Sequence, residues 1–541
     1  MNKYGFKEHE WEETLRILSR NKAIDKAILF GSRAMNTFKP MSDVDIVIYG
    51  DTLKYSDGSS LGGDFEDSDL PFMFDIINYN TIKSKELIEH IEKYGIKIYS
   101  IKSKDSEIGT IPSDAKIMDL GDCIETIIDH RGKTPKKLGS DWVLKGVPAI
   151  SAKNIHGGEL TDQDDIRFVT YDIYKKWMKE DVQKGDCLLV SEGATLGEYL
   201  YWDFDFPVVL SQRLFCIRTN PKILNSKYFY YYMTSSNFQK QIEGRATGTS
   251  VEGLRQTEVR KLQVPIISIS KQRAIGNLLY SLDKKIVLLK KQNQTLEELA
   301  QMLFSRWFVD FEFPNEQGKP YKSSGGKMIT SELGEIPEGW SVDGLTELFD
   351  FMEGPGIRNW QYTDEGTPFI NIRLINDGNI DISKANYISN EEANGKYAHF
   401  HLKPRDMIVS TSGSLGKTAI VRESHLPLML NTSVIRFRPK GYNNYPFLYQ
   451  YLKSKSFETE LLTLASGSVQ LNFGPTHLKQ IDMIIPSKEI LDTFKNSCQP
   501  LYDDILSNYD QIDTLIEFRD TLLPKLMSGS LEIKSEKISY V

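Results

Sequence analysis

Two stretches of this chain carry apolar residues at alternating spacings of four and three. One runs Ile275, Leu279, Leu282, Ile286, Leu289, Asn293, Leu296, Ala300, Leu303; the other runs Phe494, Cys498, Leu501, Ile505, Asn508, Ile512, Leu515, Arg519, Leu522. That spacing keeps one stripe of a helix apolar over about four heptads and is the seam of a coiled coil. Each seam is interrupted by one asparagine, Asn293 or Asn508. A polar residue in an apolar seam costs stability and fixes register. If the two helices pair antiparallel, the two asparagines fall at the same level. Pro500 is expected to fit an early turn of its helix or to kink it.

Outside the seams the pattern changes period. Short β-branched runs such as CLLVS and MIVST, bounded by Gly, Asp and Ser, read as strands and turns. They recur in order. VPAISAKNIHGGELT (147–161) aligns with TPFINIRLINDGNID (367–381), and VQKGDCLLVSEGATLGEYLYW (182–202) with LKPRDMIVSTSGSLGKTAIV (402–421). PVVLSQRLFCIRTNP (207–221) aligns with PLMLNTSVIRFRPKG (427–441), and ATGTSVEGLRQTEVRKLQVPII (246–267) with ASGSVQLNFGPTHLKQIDMIIP (465–486). A fifth block places one helix at Lys227–Glu243 and its counterpart at Tyr445–Leu462. Blocks repeated in order at an offset of about 220 residues mean two copies of one unit. Each copy ends in a seam helix.

The first hundred residues follow a third pattern: helix (9–20), strand KAILFGSRA, strand SDVDIVIYG, a polar segment, strand PFMFDIINYN, helix SKELIEHIEKYG. This predicts a small mixed sheet with helices on one face. Asp43 and Asp45, two apart on a strand, share a face, and Asp75 on the next strand is placed to join them. Three carboxylates on one face repel unless a cation lies between them, and Mg²⁺ suits carboxylates and substrate phosphates. Gly31 and Ser32 form a tight turn after a strand, where amides and a hydroxyl can hold phosphates of a nucleoside triphosphate.

Composition narrows this little. The chain has 541 residues with ordinary hydrophobic (40%) and charged (26%) fractions, a prior for three to four domains. Four cysteines, without CxxC or His at ligand spacing, argue against a zinc site and fit a reducing, cytoplasmic setting. No apolar run approaches a membrane span. The net charge of −8 counts mildly against nucleic-acid binding, which depends on local patches rather than the sum. SGSLGK (412–417) lacks the full phosphate-loop spacing and reads as a turn between strands. There is no NPPY or DPPY methyltransferase sequence and no motor ATPase motif.

The phrases LEELAQMLFSRWFVDFEFP (296–314), GEIPEGWSVDGLTELF (334–349) and RDTLLPKLMSGSLEI (519–533), with the unit–helix–unit–helix order, resemble the specificity subunit of type I restriction-modification systems. In the first copy the opening phrase is altered to TIPSDAKIMDLGDCIE (110–125), without the Trp. The resemblance implies an α+β multidomain chain whose two target-recognition domains each read half of a split, asymmetric double-stranded DNA site. It implies that the paired helices act as a ruler and dock methylation and restriction subunits. A 30-residue helix spans about 45 Å against about 34 Å per turn of B-DNA. The GS-x10-D-x-D pattern with a downstream Asp resembles the minimal nucleotidyltransferases of the polymerase-beta superfamily. It implies catalytic, metal-holding Asp43, Asp45 and Asp75, nucleotide contacts from Gly31, Ser32 and Arg33, and Mg²⁺ with a nucleoside triphosphate as cofactors; the specificity region needs none.

Expected boundaries are 1–105 for the transferase-like domain, 115–267 and 334–486 for the recognition domains, and 268–312 and 488–530 for the spacer helices. Expected DNA contacts lie on loops at equivalent repeat positions: Arg131 and Lys133; Arg245, Thr249, Ser250 and Arg255; Arg358, Asn359 and Gln361; Ser468, Gln470 and Asn472. Arg and Lys serve phosphates or guanine, Asn and Gln adenine. Two other readings compete: a nucleotidyltransferase merely targeted to DNA by its repeats, and a protein-binding scaffold. The seam pair and the helix-end phrases favour a DNA-specificity subunit over a scaffold.

Overall fold

The computed structural model describes the chain apart from residues 1–3, 51, 101–102, 131, 249–250, 377, 412–415, 441–443, 465–472 and 534–541. The chain divides into two compact units, Met1–Leu282 with Phe518–Val541, and Asp283–Glu517.

The first unit opens with a four-stranded sheet built from β1 (Lys26–Leu29), β2 (Val44–Tyr49), β3 (Phe74–Asn78) and β4 (Ile96–Ser100), in the order β3-β2-β1-β4. β2 and β3 are parallel, and β1 is antiparallel to both β2 and β4. The sheet is therefore mixed, as the pattern predicts. Helices α1 (Glu8–Arg20), α2 (Gly31–Ala34), α3 (Asp57–Glu66) and α4 (Lys85–Tyr94) accompany it. Helix α3 occupies the segment read as merely polar. It buries Leu61 and Phe65, and the Phe65 ring stacks on Phe74 of β3 at 4.0 Å. Its SSLGGDFE stretch holds too few apolar residues for periodicity to reveal it.

The rest of the first unit is the first copy of the repeat. Its central sheet orders strands Tyr199–Tyr201, Cys187–Val190, Leu214–Thr219 and Ile124–Asp129; a second sheet joins Arg167–Val169, Val147–Ile150 and Val209–Leu210. The second unit repeats the central order with Thr418–Ile420, Met407–Ser410, Val434–Pro439 and Phe349–Glu353. Each copy also pairs its closing strand, Gln263–Ile266 or Asp482–Ile485, with the strand that follows its opening hairpin.

That hairpin moves a boundary. Ser103–Ser106 pairs with Gly109–Pro112, as Met328–Ser331 pairs with Gly334–Pro337 in the second copy. The first copy thus begins near residue 103 rather than 115, and the preceding domain ends with β4 at Ser100. The missing Trp has a packing cause. Trp340 lies among Phe308, Phe311 and Phe313, whereas its counterpart Ala115 is buried in a core that includes Leu526 and Met527.

The single helix expected in each copy is two. Ser226–Met233 is followed by Ser236–Arg245, and Tyr445–Leu452 by Lys455–Leu464. At each break a serine caps the new helix: Ser235 Oγ accepts from Phe238 N and Ser454 Oγ from Phe457 N.

The seam helices are Ile269–Phe304, which passes into a π turn at Ser305–Val309, and Lys488–Met527. The second runs through Pro500, which is an interior residue and not in an early turn; buried Cys498 and Tyr502 beside it hold the helix in place. Within the second unit the two helical segments run antiparallel. Trp307 meets Phe494 at 5.5 Å between ring centroids, and Ile286 and Leu289 pack with Ile512. Between these levels Asn508 Nδ2 donates to Asn293 Oδ1 at 2.9 Å, and Asn293 Nδ2 donates to the Ile505 carbonyl at 3.2 Å. Within the first unit Ile275 and Leu279 share a core with Leu526 and Met527. Among the described residues no helix is long and apolar enough to cross a membrane, and all four cysteines are buried and free.

Candidate functional site

Two places carry the candidate chemistry. The first is the rim of the N-terminal sheet. The apolar positions of β2 (Val44, Ile46, Val47, Ile48) are buried and anchor the strand, leaving Asp45 half-buried. Asp45 stands directly opposite Asp75 on parallel β3, and neighbouring strands lie about 4.8 Å apart. Asp43 is exposed two residues upstream. Burial first, then the Asp75 and Asp43 carboxylates, push the Asp45 carboxyl above its ordinary value, against the pull of Arg33 and His90. Asp43 and Asp75 therefore both act on the Asp45 carboxyl. Among the described residues no three His, Cys, Asp or Glu side chains form a ready-made metal cage. The donor set still fits a hard cation: carboxylates brought together on a rim that one strand pair holds in register.

Gly31 opens the turn after β1 with φ of 67°, a left-handed conformation that costs glycine little. A Cβ there would collide with the Asp45 carboxylate, so the missing side chain lets that carboxylate lie against the turn. Ser32 follows in α2 at intermediate exposure.

Arg33 does not fit the expected nucleotide contact. It is 1% exposed. Its Nε donates to the Ser42 and Asp43 carbonyls at 3.2 Å, Nη2 to Ser42 O at 2.8 Å, and Nη1 to Tyr4 O at 2.9 Å. Its guanidinium lies 4.4 Å from the Phe72 ring centroid. A fork buried among aromatic rings and bonded to backbone carbonyls is turned away from the surface; Arg33 instead holds the segment that presents Asp43. His90, on α4, is the neighbour that sequence reading missed. Only the fold brings it near Asp45, and no spacing in the chain signals it.

The second place is the loop rim of each recognition domain. Arg131, Thr249, Ser250, Ser468, Gln470 and Asn472 lie outside the described residues, as do positions 412–415 of SGSLGK. Two expected readers prove internal. The Lys133 ammonium donates to the Trp177 carbonyl at 2.6 Å, and burial pushes its pKa down. Gln361 is buried, donating to Tyr397 Oη at 3.2 Å and to the Glu392 carboxylate, while its Oε1 accepts from Arg358 N. A short polar loop needs such internal bonds to hold its shape, and residue type alone does not distinguish holder from reader. Arg245 pairs with Glu258 at 3.5 Å on the surface. Arg255, Arg358 and Asn359 are exposed, and Trp360, which follows Asn359 in the chain, is 80% exposed.

A β-scaffold present twice, each copy completed by a long seam helix and each carrying different loop chemistry, defines a duplicated recognition protein. Comparison with known proteins agrees. The profile of the type I restriction modification DNA specificity domain matches residues 112–298 and 337–522, and the chain belongs to that family of specificity subunits. The profile of polymerase beta nucleotidyltransferases matches residues 12–104. The type I restriction enzyme MjaIX specificity subunit of Methanocaldococcus jannaschii is 28% identical over 447 residues, covering 80% of this chain and 96% of that protein. The HindI specificity subunit of Haemophilus influenzae is 26% identical over 417 residues, 65% of this chain and 88% of that protein. The crystal structure of the type I S subunit from M. genitalium covers 80% of this chain and 99% of that one, with a TM-score of 0.50 and 16% identity, a likeness of fold.

Proposed function

We propose that this specificity subunit reads a split, asymmetric double-stranded DNA site, one half through each recognition domain, and docks methylation and restriction subunits. The observation that carries the reading is the duplication itself. The central sheet keeps the same strand order in both copies, while its loops differ in chemistry. A common scaffold with unlike readers suits two unlike half-sites. Mapping methylated adenines in cells with and without the chain tests it. A two-part recognition sequence that disappears with the chain is the expected result; an unchanged methylation pattern would refute it.

The N-terminal domain is proposed as a Mg²⁺-dependent nucleotidyltransferase. Asp43, Asp45 and Asp75 would hold the metal, which when bound stabilises the attacking and leaving oxygens of an in-line displacement. Gly31 lets the Asp45 carboxylate lie against the turn, Ser32 offers a hydroxyl, and Arg33 keeps the Asp43 segment in place. The reading is favoured by Asp45 standing opposite Asp75 with Gly31 packed on its carboxylate. Labelled nucleotide transferred from ATP by the full chain and lost in Asp43→Asn is the expected outcome. Equal labelling by both proteins would remove the role.

A further inference from the structure

The loops at one rim of each central sheet converge on a turn to which sequence reading assigns no role. In the first copy the strands ending at Val190 and Asp129 and the strand starting at Leu214 meet there, since Val190 pairs with Leu214 and Asp129 with Phe215. The turn before Leu214 holds Arg213 at φ of 67°; its counterpart in the second copy holds Ser433 at φ of 69°. Left-handed backbone is strained for a residue with a side chain. The chain has a cheaper solution at hand: at another left-handed turn, Gly185 in one copy matches Arg405 in the other. At 213 and 433 neither copy takes glycine.

Both turns are clamped from behind in the same way. Ser191 N donates to the Arg213 carbonyl at 2.8 Å, and Thr411 N to the Ser433 carbonyl at 3.0 Å. The Ser191 and Thr411 hydroxyls behind these clamps are buried, at 0% and 1% exposure, and have no hydrogen-bond partner among the described residues. The backbone is held while the side chains at the tip face outward: Gln212 and Arg213 are exposed, as is Thr432. The Arg213 side chain is 47% exposed and its Nε lies 3.3 Å from Glu192 Oε1, on the adjoining loop of the rim. That loop is tied to the 246–254 loop, where DNA contacts are expected, by Leu254 N donating to Ser191 O at 2.7 Å.

We infer that this clamped turn is a base-reading tip in each recognition domain, with Arg213 reading a guanine of the first half-site and Glu192 positioning its guanidinium. The inference rests on the proposed DNA-reading function. A planar fork held at a fixed angle matches the O6 and N7 acceptors of guanine in the major groove. The second copy, with Thr432 and Ser433 at the tip, has no cation there and reads no guanine through this turn. The strain is retained because the left-handed residue aims its side chain at the ligand.

The test uses the full chain co-expressed with its methylation subunit, with methylated adenines mapped genome-wide. Arg213→Gly keeps the backbone conformation and removes the fork. It is expected to lower discrimination at one guanine of one half-site by about 10- to 100-fold, leaving the other half-site as in the parent. Arg213→Gln is expected to shift that position toward adenine. Ser433→Gly is expected to leave the first half-site untouched. If the parent complex methylates a split site and Arg213→Gly leaves every position of it unchanged, or weakens all positions equally, the inference is overturned while the DNA-reading function stands. If the parent complex methylates no two-part site, the function itself fails and the inference with it.

Discussion

The two recognition domains share a scaffold and differ in how they finish it. In both, a buried aspartate on the turn into a central strand holds an arginine of the next strand by a two-pronged bond. Arg218 Nε and Nη2 reach Asp186 at 2.9 and 2.8 Å, and Arg438 Nε and Nη2 reach Asp406 at 2.6 and 2.7 Å. After the edge strand the copies part. The first closes with an aromatic cluster, Trp202 tilted against Phe204 and edge-on to Phe206. The second closes with buried Arg422 bonded to Asp510, Asp513 and Asn379, and with His425 behind it. Duplication preserved the bond that a strand crossing cannot lose and left the loop closure open to two chemistries, one apolar and one charged. The apolar solution does not titrate; the charged one does.

Three experiments break or sharpen that contrast. The largest effect is expected from Arg218→Ala, which leaves Asp186 buried without its partner. Unfolding by denaturant should show a loss of about 3 kcal/mol, toward the low end for a broken buried pair. Arg438 is 29% exposed against 13% for Arg218, so water can reach the hole left by Arg438→Ala and the loss there should be smaller. Equal losses would mean that the two pairs are energetically interchangeable.

Next is the pH dependence of the second copy. Burial first, then Arg422, push His425 down from 6.5 to about 3. The folded state therefore holds His425 neutral, and the unfolded chain binds the proton more readily. Its contribution is fully present above pH 6.5 and is lost as pH falls from there toward 3, at up to about 1.4 kcal/mol per pH unit. Thermal unfolding from pH 7 to 4.5 should show this slope in the parent chain and a flatter one in His425→Gln. A parent profile without the slope would show that His425 stays protonated within the fold.

The smallest effect is at the seam. Replacing both Asn293 and Asn508 by Leu should raise the melting temperature, since two amides leave an apolar seam. Asn293→Leu alone strips Asn508 of its 2.9 Å partner and should cost about 1 kcal/mol. A fall in melting temperature for the double variant would show that the bonded pair contributes more than the packing that replaces it.

Much of this was legible before any coordinates. Heptad seams are one-dimensional signals, and their asparagines meet where antiparallel pairing puts them. The repeat was legible because the strands of the two copies recur as aligned blocks in the same order along the chain. The carboxylate strand was legible because alternation assigns faces. What was not legible depends on three-dimensional neighbours. Arg33 and Gln361 have the residue types of ligand contacts, and only their carbonyl, carboxylate and hydroxyl partners show that they hold structure. The hairpin at Ser103–Pro112 was missed, as was its counterpart at Met328–Pro337 where Trp340 is kept, because strands as short and polar as SKDS and MITS carry no apolar alternation. The Arg213 turn was invisible because nothing in the string SQRLF announces a left-handed φ.

The boundary at β4 has one more consequence. The N-terminal sheet ends at Ser100 and the first strand of the repeat begins at Ser103, so two residues separate them. Fully stretched, two residues cover only about 7 Å. Such a leash gives the N-terminal domain almost no roaming volume. The N-terminal domain therefore stays beside the first recognition domain wherever that domain is placed, and its surroundings are set by its neighbour.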